Sequence, residues 1–291
     1  EDVWITESDE ALEELMEKER RTKILFTDLD DTLFNSQKEV SDENRRAIKD
    51  MLAAGHYIVL STGRALESAL KLAEKLDLCG ENCFIIAFNG GQIYDTGKKE
   101  IVCSCPVPMD QIRFVFDEAK KFGIHVQTYN EIGVVSEADT EDLHFYCRIQ
   151  GLTPVVVEDV MQTLKVAPPK LLVIDYRHPE RVPAFREYIT PLVGDKFDLF
   201  MSHPALLEMV APGVNKGNAV HFLCDYLGIP LCNSVAAGDA ENDLTMIREA
   251  HIGVAMCNGA DFLKKEADYI TEHDQNHDGV AEIIDKFIMN D

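Results

Sequence analysis

Ile24-Leu25-Phe26-Thr27-Asp28-Leu29-Asp30-Asp31-Thr32 is an apolar run that ends in three carboxylates and a hydroxyl. A buried strand of this kind ordinarily closes on Gly, Asn or Pro. Like charges a few Å apart raise each other's pKa, so such a cluster persists where a cation or a reaction uses it. Open α/β sheets bind ligands in the crevice beyond the carboxyl ends of their strands. The stretch therefore reads as the first strand of such a sheet, feeding an active site. Asp28 and Asp30, two residues apart, are expected on the same side of an extended backbone.

Working outward, a helix is expected from Ser41 to Ala54, with Ser41 as its N-cap, Ala47, Ile48, Met51 and Leu52 as its apolar face, and Gly55 as its stop. A second strand, Tyr57 to Leu60, ends in Ser61-Thr62-Gly63-Arg64, and a helix carrying Leu66, Leu70, Ala73 and Leu76 leads to a third strand, Phe84 to Phe88. This alternation predicts right-handed crossovers and a parallel sheet. After Asn89-Gly90-Gly91 the strands come in adjacent pairs, 124–128 with 132–136 and 197–202 with 206–210, separated by helical stretches near 109–122, 139–150 and 179–190. Short-loop pairs signal antiparallel strands and an α+β insert. From Asn215 the first pattern resumes: a helix over 216–227, then a strand from Ser234 to Ala237 that ends in Gly238-Asp239-Ala240-Glu241-Asn242-Asp243. The fold class is thus α/β, a Rossmann-like doubly wound parallel-sheet core with an inserted α+β cap. The expected division is a core at 22–95 and 212–291, a cap at 96–211, and an acidic, helix-prone extension at 1–21.

The 291 residues are 46% hydrophobic, enough for a sizeable core, and carry a net charge of −24. That charge repels nucleic-acid backbones and anionic lipid, so neither nucleic acid nor membrane is an expected partner. An anionic small molecule would need a local positive centre. No apolar stretch approaches the ~20 residues of a membrane span. Glu1-Asp2-Val3-Trp4 lacks the features of a secretory leader, and the eight cysteines are too sparse for a disulfide scaffold, which together point to the cytoplasm. Asp274-Gln275-Asn276-His277-Asp278-Gly279 has the outline of a calcium loop. Its twelfth position is Asp285 rather than a bidentate Glu, and residues 267–271 before it read as a strand, so calcium is set aside.

Three strand ends then carry groups that could serve one chemistry. The first offers Asp28, Asp30 and Thr32, the second Thr62, and the last Asp239, Asn242 and Asp243. Parallel strands present these ends at one edge. Four carboxylates call for a hard cation, and Mg²⁺ suits a few carboxylate oxygens with a substrate phosphate. Lys216, at a helix start after Gly213-Val214-Asn215, is the fixed positive charge.

In these motifs the chain resembles the haloacid dehalogenase superfamily, specifically its Cof-like phosphatases, which carry a large α/β cap. Asp28-Leu29-Asp30-Asp31-Thr32 matches the first motif, Ser61-Thr62-Gly63-Arg64 the second, Gly213-Val214-Asn215-Lys216-Gly217 the third and Gly238 to Asp243 the fourth. Asp31 and Cys257 stand where Gly is commoner. The resemblance implies a Mg²⁺-dependent phosphatase for small phosphate esters such as sugar phosphates, nucleotides or phosphorylated cofactors. It implies that Asp28 attacks phosphorus to give an aspartyl-phosphate, and that Asp30 acts as acid and then base with a pKa above that of metal-bound Asp28. Asp28, the Asp30 carbonyl, Asp239 and, through water, Asp243 are the implied metal ligands. Thr62, Lys216 and Asn242 are the implied phosphate-binding residues. Gly63, Arg64, Asn89 and Gly90 are candidate substrate-side or hinge residues. A phosphomutase is the nearest rival, but the cap offers only scattered basic residues (Arg113, Arg148, Arg177, Arg181, Arg186) for a second phosphate clamp. A non-catalytic phosphate-ligand sensor would have no need of Asp30. Oligomeric state and physiological substrate are left open.

Overall fold

The computed structural model describes residues 22–290, so the expected 1–21 extension lies outside the described residues. The first strand, β1 (Ile24–Thr27), is buried along its whole length. Its side chains alternate between two cores. Ile24 and Phe26 share a cluster with Val220, Leu223 and Cys224 of α6 (Lys216–Leu227), while Leu25 joins Ala47, Ile48 and Met51 of α1 (Asp42–Ala53). A strand covered by helices on both faces needs apolar residues at every position, which is why this one shows no polar alternation. Truncating fully buried Phe26 to Ala would cost about 3–5 kcal/mol.

The core sheet has eight strands in the order β14-β13-β12-β1-β2-β3-β4-β5. The members are β2 (Tyr57–Ser61), β3 (Cys83–Ala87), β4 (Gln92–Asp95), β5 (Glu100–Ser104), β12 (Ser234–Gly238), β13 (Ile252–Ala255) and β14 (Tyr269–Ile270). From β14 to β3 all pairs are parallel, and β4 and β5 add an antiparallel hairpin. Ser41 caps α1 as expected, its hydroxyl accepting from the Asn44 amide at 3.1 Å, and α2 (Leu66–Lys75) follows β2. The expected cap boundary at residue 96 falls inside the β4–β5 turn, so residues 100–104 lie in the core sheet. β5 is an edge strand with exposed Glu100 and Ile101, hence its weak apolar signal.

The cap sheet has six strands in the order β10-β11-β9-β6-β7-β8: β6 (His125–Tyr129), β7 (Val134–Ser136), β8 (Pro154–Val156), β9 (Lys170–Ile174), β10 (Asp198–His203) and β11 (Leu206–Val210). The two hairpins read from the sequence are antiparallel. The edge pair β7–β8 is parallel, because α4 (Glu141–Gln150) crosses between its strands. Leu171 and Val173 of β9 face the cluster of α3 (Met109–Phe122) and α5 (Arg181–Val193). Leu172 and Ile174 alternate to the opposite side, into a cluster shared with α4 and the core. There Phe88 meets Tyr129 edge to face, 5.0 Å between centroids. No helix among the described residues is long and apolar enough to cross a membrane.

Candidate active site

β12, β1 and β2 are neighbours, and Thr27 pairs with both Ala237 and Leu60. Asp28, Thr62 and Asp239 therefore leave the sheet at one edge within a residue or two of the same level. The Asp28 amide still donates to the Ala237 carbonyl at 2.9 Å, which fixes the backbone where the carboxylate begins. Lys216, in the first turn of α6, has no solvent exposure. Its ammonium donates to Asp28 Oδ1 at 2.6 Å, Asp243 Oδ1 at 2.6 Å and the Ser61 carbonyl at 2.9 Å. All three of its hydrogens are thereby used. Asp243 Oδ2 accepts from the amides of Asp239 and Ala240 at 2.9 and 3.0 Å, so this carboxylate clamps both the lysine and the turn. Thr32 Oγ1 donates to Asp239 Oδ1 at 2.8 Å and ties the first motif to the fourth.

Oxygens of Asp28, Asp239 and Asp243 lie within 4.8 Å of one another. Burial, then the charge of Asp243, pushes Asp28 well above the usual carboxylate range. The same two causes push Asp239 up to about 7. Burial alone would lower Lys216, but Asp243 and Asp28 raise it instead, so it stays charged. One ammonium does not balance three carboxylates, and this donor set fits a hard divalent cation. Asp28 and Asp239 each commit Oδ1 to a protein donor and could offer the other oxygen to a metal.

Asp30 does not share this orientation. The strand ends at Thr27, and the Asp30 carboxylate turns to Arg64, accepting from Nε at 2.8 Å and Nη2 at 2.7 Å, with Lys38 Nζ at 3.2 Å. Burial would raise its pKa, but the hydrogen bonds and charges of Arg64 and Lys38 outweigh it and hold Asp30 below the usual range. Among protein groups alone, the expected order of the two carboxyls is therefore reversed. The cause is the bidentate Arg64 fork on one and the buried acidic neighbours on the other.

Thr62 is buried, and its hydroxyl accepts from the Arg64 amide at 3.1 Å. Asn242 Nδ2 donates to Asn89 Oδ1 at 2.9 Å, joining the fourth motif to the end of β3. Asn89 is fully buried in a left-handed conformation (φ 57°), and its Nδ2 has no partner among the described residues. Gly90 follows at φ 107°, so close to α6 that a Cβ there would lie 2.7 Å from the Asn215 carbonyl oxygen. Gly63 packs against the Asn89 amide. Gly63, Asn89 and Gly90 thus bring the ends of β2 and β3 against the start of α6, while Arg64 turns to Asp30 and Gln150.

The cap closes over this edge and encloses a cavity of about 510 Å³. Lys170, 1% exposed, reaches across to the Gly63 carbonyl at 2.5 Å and pairs with Glu208 at 2.7 Å. Ser202 Oγ donates to the other Glu208 oxygen at 2.6 Å. Gln150 Oε1 accepts from Arg64 Nη1 and Ser68 Oγ at 3.1 and 3.2 Å. None of these cap residues stands out by motif. A signal does exist: Lys170-Leu-Leu-Val-Ile and Leu-Leu-Glu208-Met-Val each set one charge within an apolar run, the same anomaly that marks Asp28.

A family model for haloacid dehalogenase-like hydrolases matches residues 25–284. The chain is 31% identical over 273 residues to a Bacillus subtilis protein named 5-amino-6-(5-phospho-D-ribitylamino)uracil phosphatase, covering 92% of this chain and 96% of that one. Among solved structures, it resembles a haloacid dehalogenase-like hydrolase of Bacteroides thetaiotaomicron (TM-score 0.82, 28% identity, 91% and 99% of the two chains). It also resembles a Thermotoga maritima protein (TM-score 0.77, 30% identity, 91% and 97%). With its four motifs gathered at one sheet edge under a cap, the chain belongs to the haloacid dehalogenase-like hydrolases.

Proposed function

We propose that this hydrolase removes phosphate from small phosphorylated metabolites, with Mg²⁺, through an aspartyl-phosphate on Asp28. The observation that carries the reading is the buried Lys216 bridge from Asp28 to Asp243, with Asp239 beside it. Asp28 and Asp239 would hold the metal, together with the Asp30 backbone carbonyl and, through water, Asp243, whose two oxygens are already taken by protein donors. When bound, Mg²⁺ supplies positive charge against the carboxylates and the phosphoryl oxygens.

Lys216 fixes the orientation of Asp28, so the nucleophile meets phosphorus without losing rotational freedom at that moment. Thr62 and Asn242 would donate to phosphoryl oxygens, and Lys216 would offer its charge there, donating directly only by giving up one of its three present bonds. Asp30 carries the proton to the leaving oxygen and takes one from the water that cleaves the intermediate. To do so it must exchange its bond to Arg64, which is also held by the cap through Gln150. That route joins protonation to cap position. Four of the five cap arginines are paired, which favours hydrolysis over a mutase: Arg113 bonds Glu137, Arg177 Glu141, Arg181 Asp175 and Arg186 Glu241, while Arg148 stands over the Phe145 ring at 5.3 Å. No second phosphate clamp is made from them.

The test is phosphate release over a panel of phosphorylated metabolites, with and without Mg²⁺, for the wild type and Asp30→Asn. The expected result is metal-dependent release that falls by roughly 10²–10⁴-fold in the variant while ligand binding is retained. A wild type inert across the panel would support a sensor, and transfer within a sugar phosphate without phosphate release would support the mutase.

A further inference from the structure

We infer that Asn89 is a positioning residue of the reaction, its side-chain oxygen fixing which end of the Asn242 amide faces the phosphoryl group; this rests on the phosphatase reading above. Asn242, Thr62 and Gly63 line the cavity, and Asn89 stands behind them without lining it. Asn242 Nδ2 donates to Asn89 Oδ1 at 2.9 Å. A carboxamide is planar, with two N–H donors on its nitrogen and lone pairs on its oxygen. One hydrogen held by Asn89 leaves the other for a phosphoryl oxygen in the cavity. Turned over by half a rotation, Asn242 would set its own oxygen in that place and present lone pairs to the phosphoryl group and to Asn89 alike. Asn89 Oδ1 opposes that state, because two acceptors that face each other leave both unpaired.

The turn that carries Asn89 has little local reason to exist. Phe88, Asn89 and Gly90 have φ values of 52°, 57° and 107°, three positive angles in a row. Asn visits this region with some ease, whereas a bulky side chain such as Phe seldom does. Such a turn persists where its surroundings over-determine it. Here the Asn89 amide donates to the Thr62 carbonyl at 3.0 Å, and the Phe88 amide to the Arg64 carbonyl at 2.9 Å. The turn is thereby strapped to the segment that carries Thr62, another residue on the phosphate side. Asn89 is 0% exposed, and of its two amide ends only the oxygen has a hydrogen-bond partner among the described residues. A buried N–H left without a bond works against the fold, so what this side chain gains is its bond to Asn242. Through that bond and the backbone strap, the Thr62 and Asn242 segments are held at a fixed spacing.

The experiment measures kcat and KM for phosphate release from acetyl phosphate with Mg²⁺ in the wild type, Asn89→Gly, Asn89→Asp, Asn242→Ala and the double variant Asn89→Gly/Asn242→Ala. Glycine takes a left-handed turn without steric cost, so Asn89→Gly removes the side chain and leaves the backbone in place. Asn89→Asp keeps an oxygen where Asn242 needs one. Removal of a donor that acts in the transition state should lower kcat roughly 10²-fold in Asn242→Ala. Asn89→Gly should lower kcat roughly tenfold with KM changed by less than about threefold, and Asn89→Asp should recover most of that loss. In the Asn242→Ala background the same glycine should change kcat by less than about twofold, because the group it acts through is gone. An equal loss in both backgrounds is what a purely structural role gives, and it would overturn the inference while leaving the phosphatase reading intact. So would Asn89→Gly at the wild-type rate, or Asn89→Asp no faster than Asn89→Gly. A wild type that releases no phosphate from acetyl phosphate would overturn the phosphatase reading and this inference with it.

Discussion

Replacing Lys170 with Met keeps the aliphatic stem on its packing partners and deletes only the ammonium. That ammonium is 1% exposed and has two close acceptors, Glu208 Oε2 at 2.7 Å and the Gly63 carbonyl at 2.5 Å. It also lies 5.7 and 5.6 Å from the ring centroids of Phe88 and Tyr129. Without it, Glu208 is left 2% exposed with Ser202 as its remaining side-chain partner. An unpaired buried charge of this kind costs about 3–5 kcal/mol, whereas replacing both members of such a pair with apolar residues is often near neutral. Urea unfolding followed by circular dichroism should therefore show Lys170→Met destabilised by about 3–5 kcal/mol. The double variant Lys170→Met/Glu208→Leu should recover most of that loss. A single variant within about 1 kcal/mol of wild type would rule out a buried pair, because exposed pairs are worth that little. A double variant no more stable than the single would rule it out as well.

Gly90→Ala forces a side chain into φ 107° and against the Asn215 carbonyl, so a loss of about 1–3 kcal/mol or more is expected in the same urea assay. Wild-type stability would mean that the end of β3 and the start of α6 do not press together. In the cap, the Arg113 hydrogen bond holds the Glu137 carboxyl below its ordinary value, with Arg113 Nη2 2.9 Å from Glu137 Oε2. A depressed carboxyl stabilises the fold above its unfolded pKa of about 4.3, and that stability is lost as pH falls through the folded value. Arg113→Met should therefore show a shallower loss of stability than wild type as pH is lowered below about 4.3. Parallel acid arms in the two proteins would count against the pair.

The core is legible in the sequence because its chemistry violates its own local pattern. Carboxylates that end an apolar strand, at Asp28 and again at Asp239, have few structural reasons to be there. Strand adjacency then does the rest, since β12, β1 and β2 are parallel neighbours. The direction of Asp30 is not legible, because it depends on whether the strand continues past Thr27 and on where Arg64 arrives from β2. β9 escapes a sequence reading although it is the centre of the cap sheet; its five residues have no close hairpin partner in the chain, pairing instead with β6 and β11. Phe145, Tyr176 and His203, whose rings line the cavity with 4.7 and 6.3 Å between neighbours, are hidden for a similar reason. They come from α4, the segment after β9 and the end of β10, and only the tertiary fold brings them together.

The proposed mechanism stands or falls on whether Asp28 becomes covalently phosphorylated. Protein acid-quenched during turnover of acetyl phosphate with Mg²⁺ can be examined by intact-mass and peptide mass spectrometry. One phosphoryl group is expected on the peptide that carries Asp28, absent in Asp28→Asn and without Mg²⁺. An Asp28→Asn variant that turns over at the wild-type rate, or a phosphoryl group found on another residue, would contradict the mechanism.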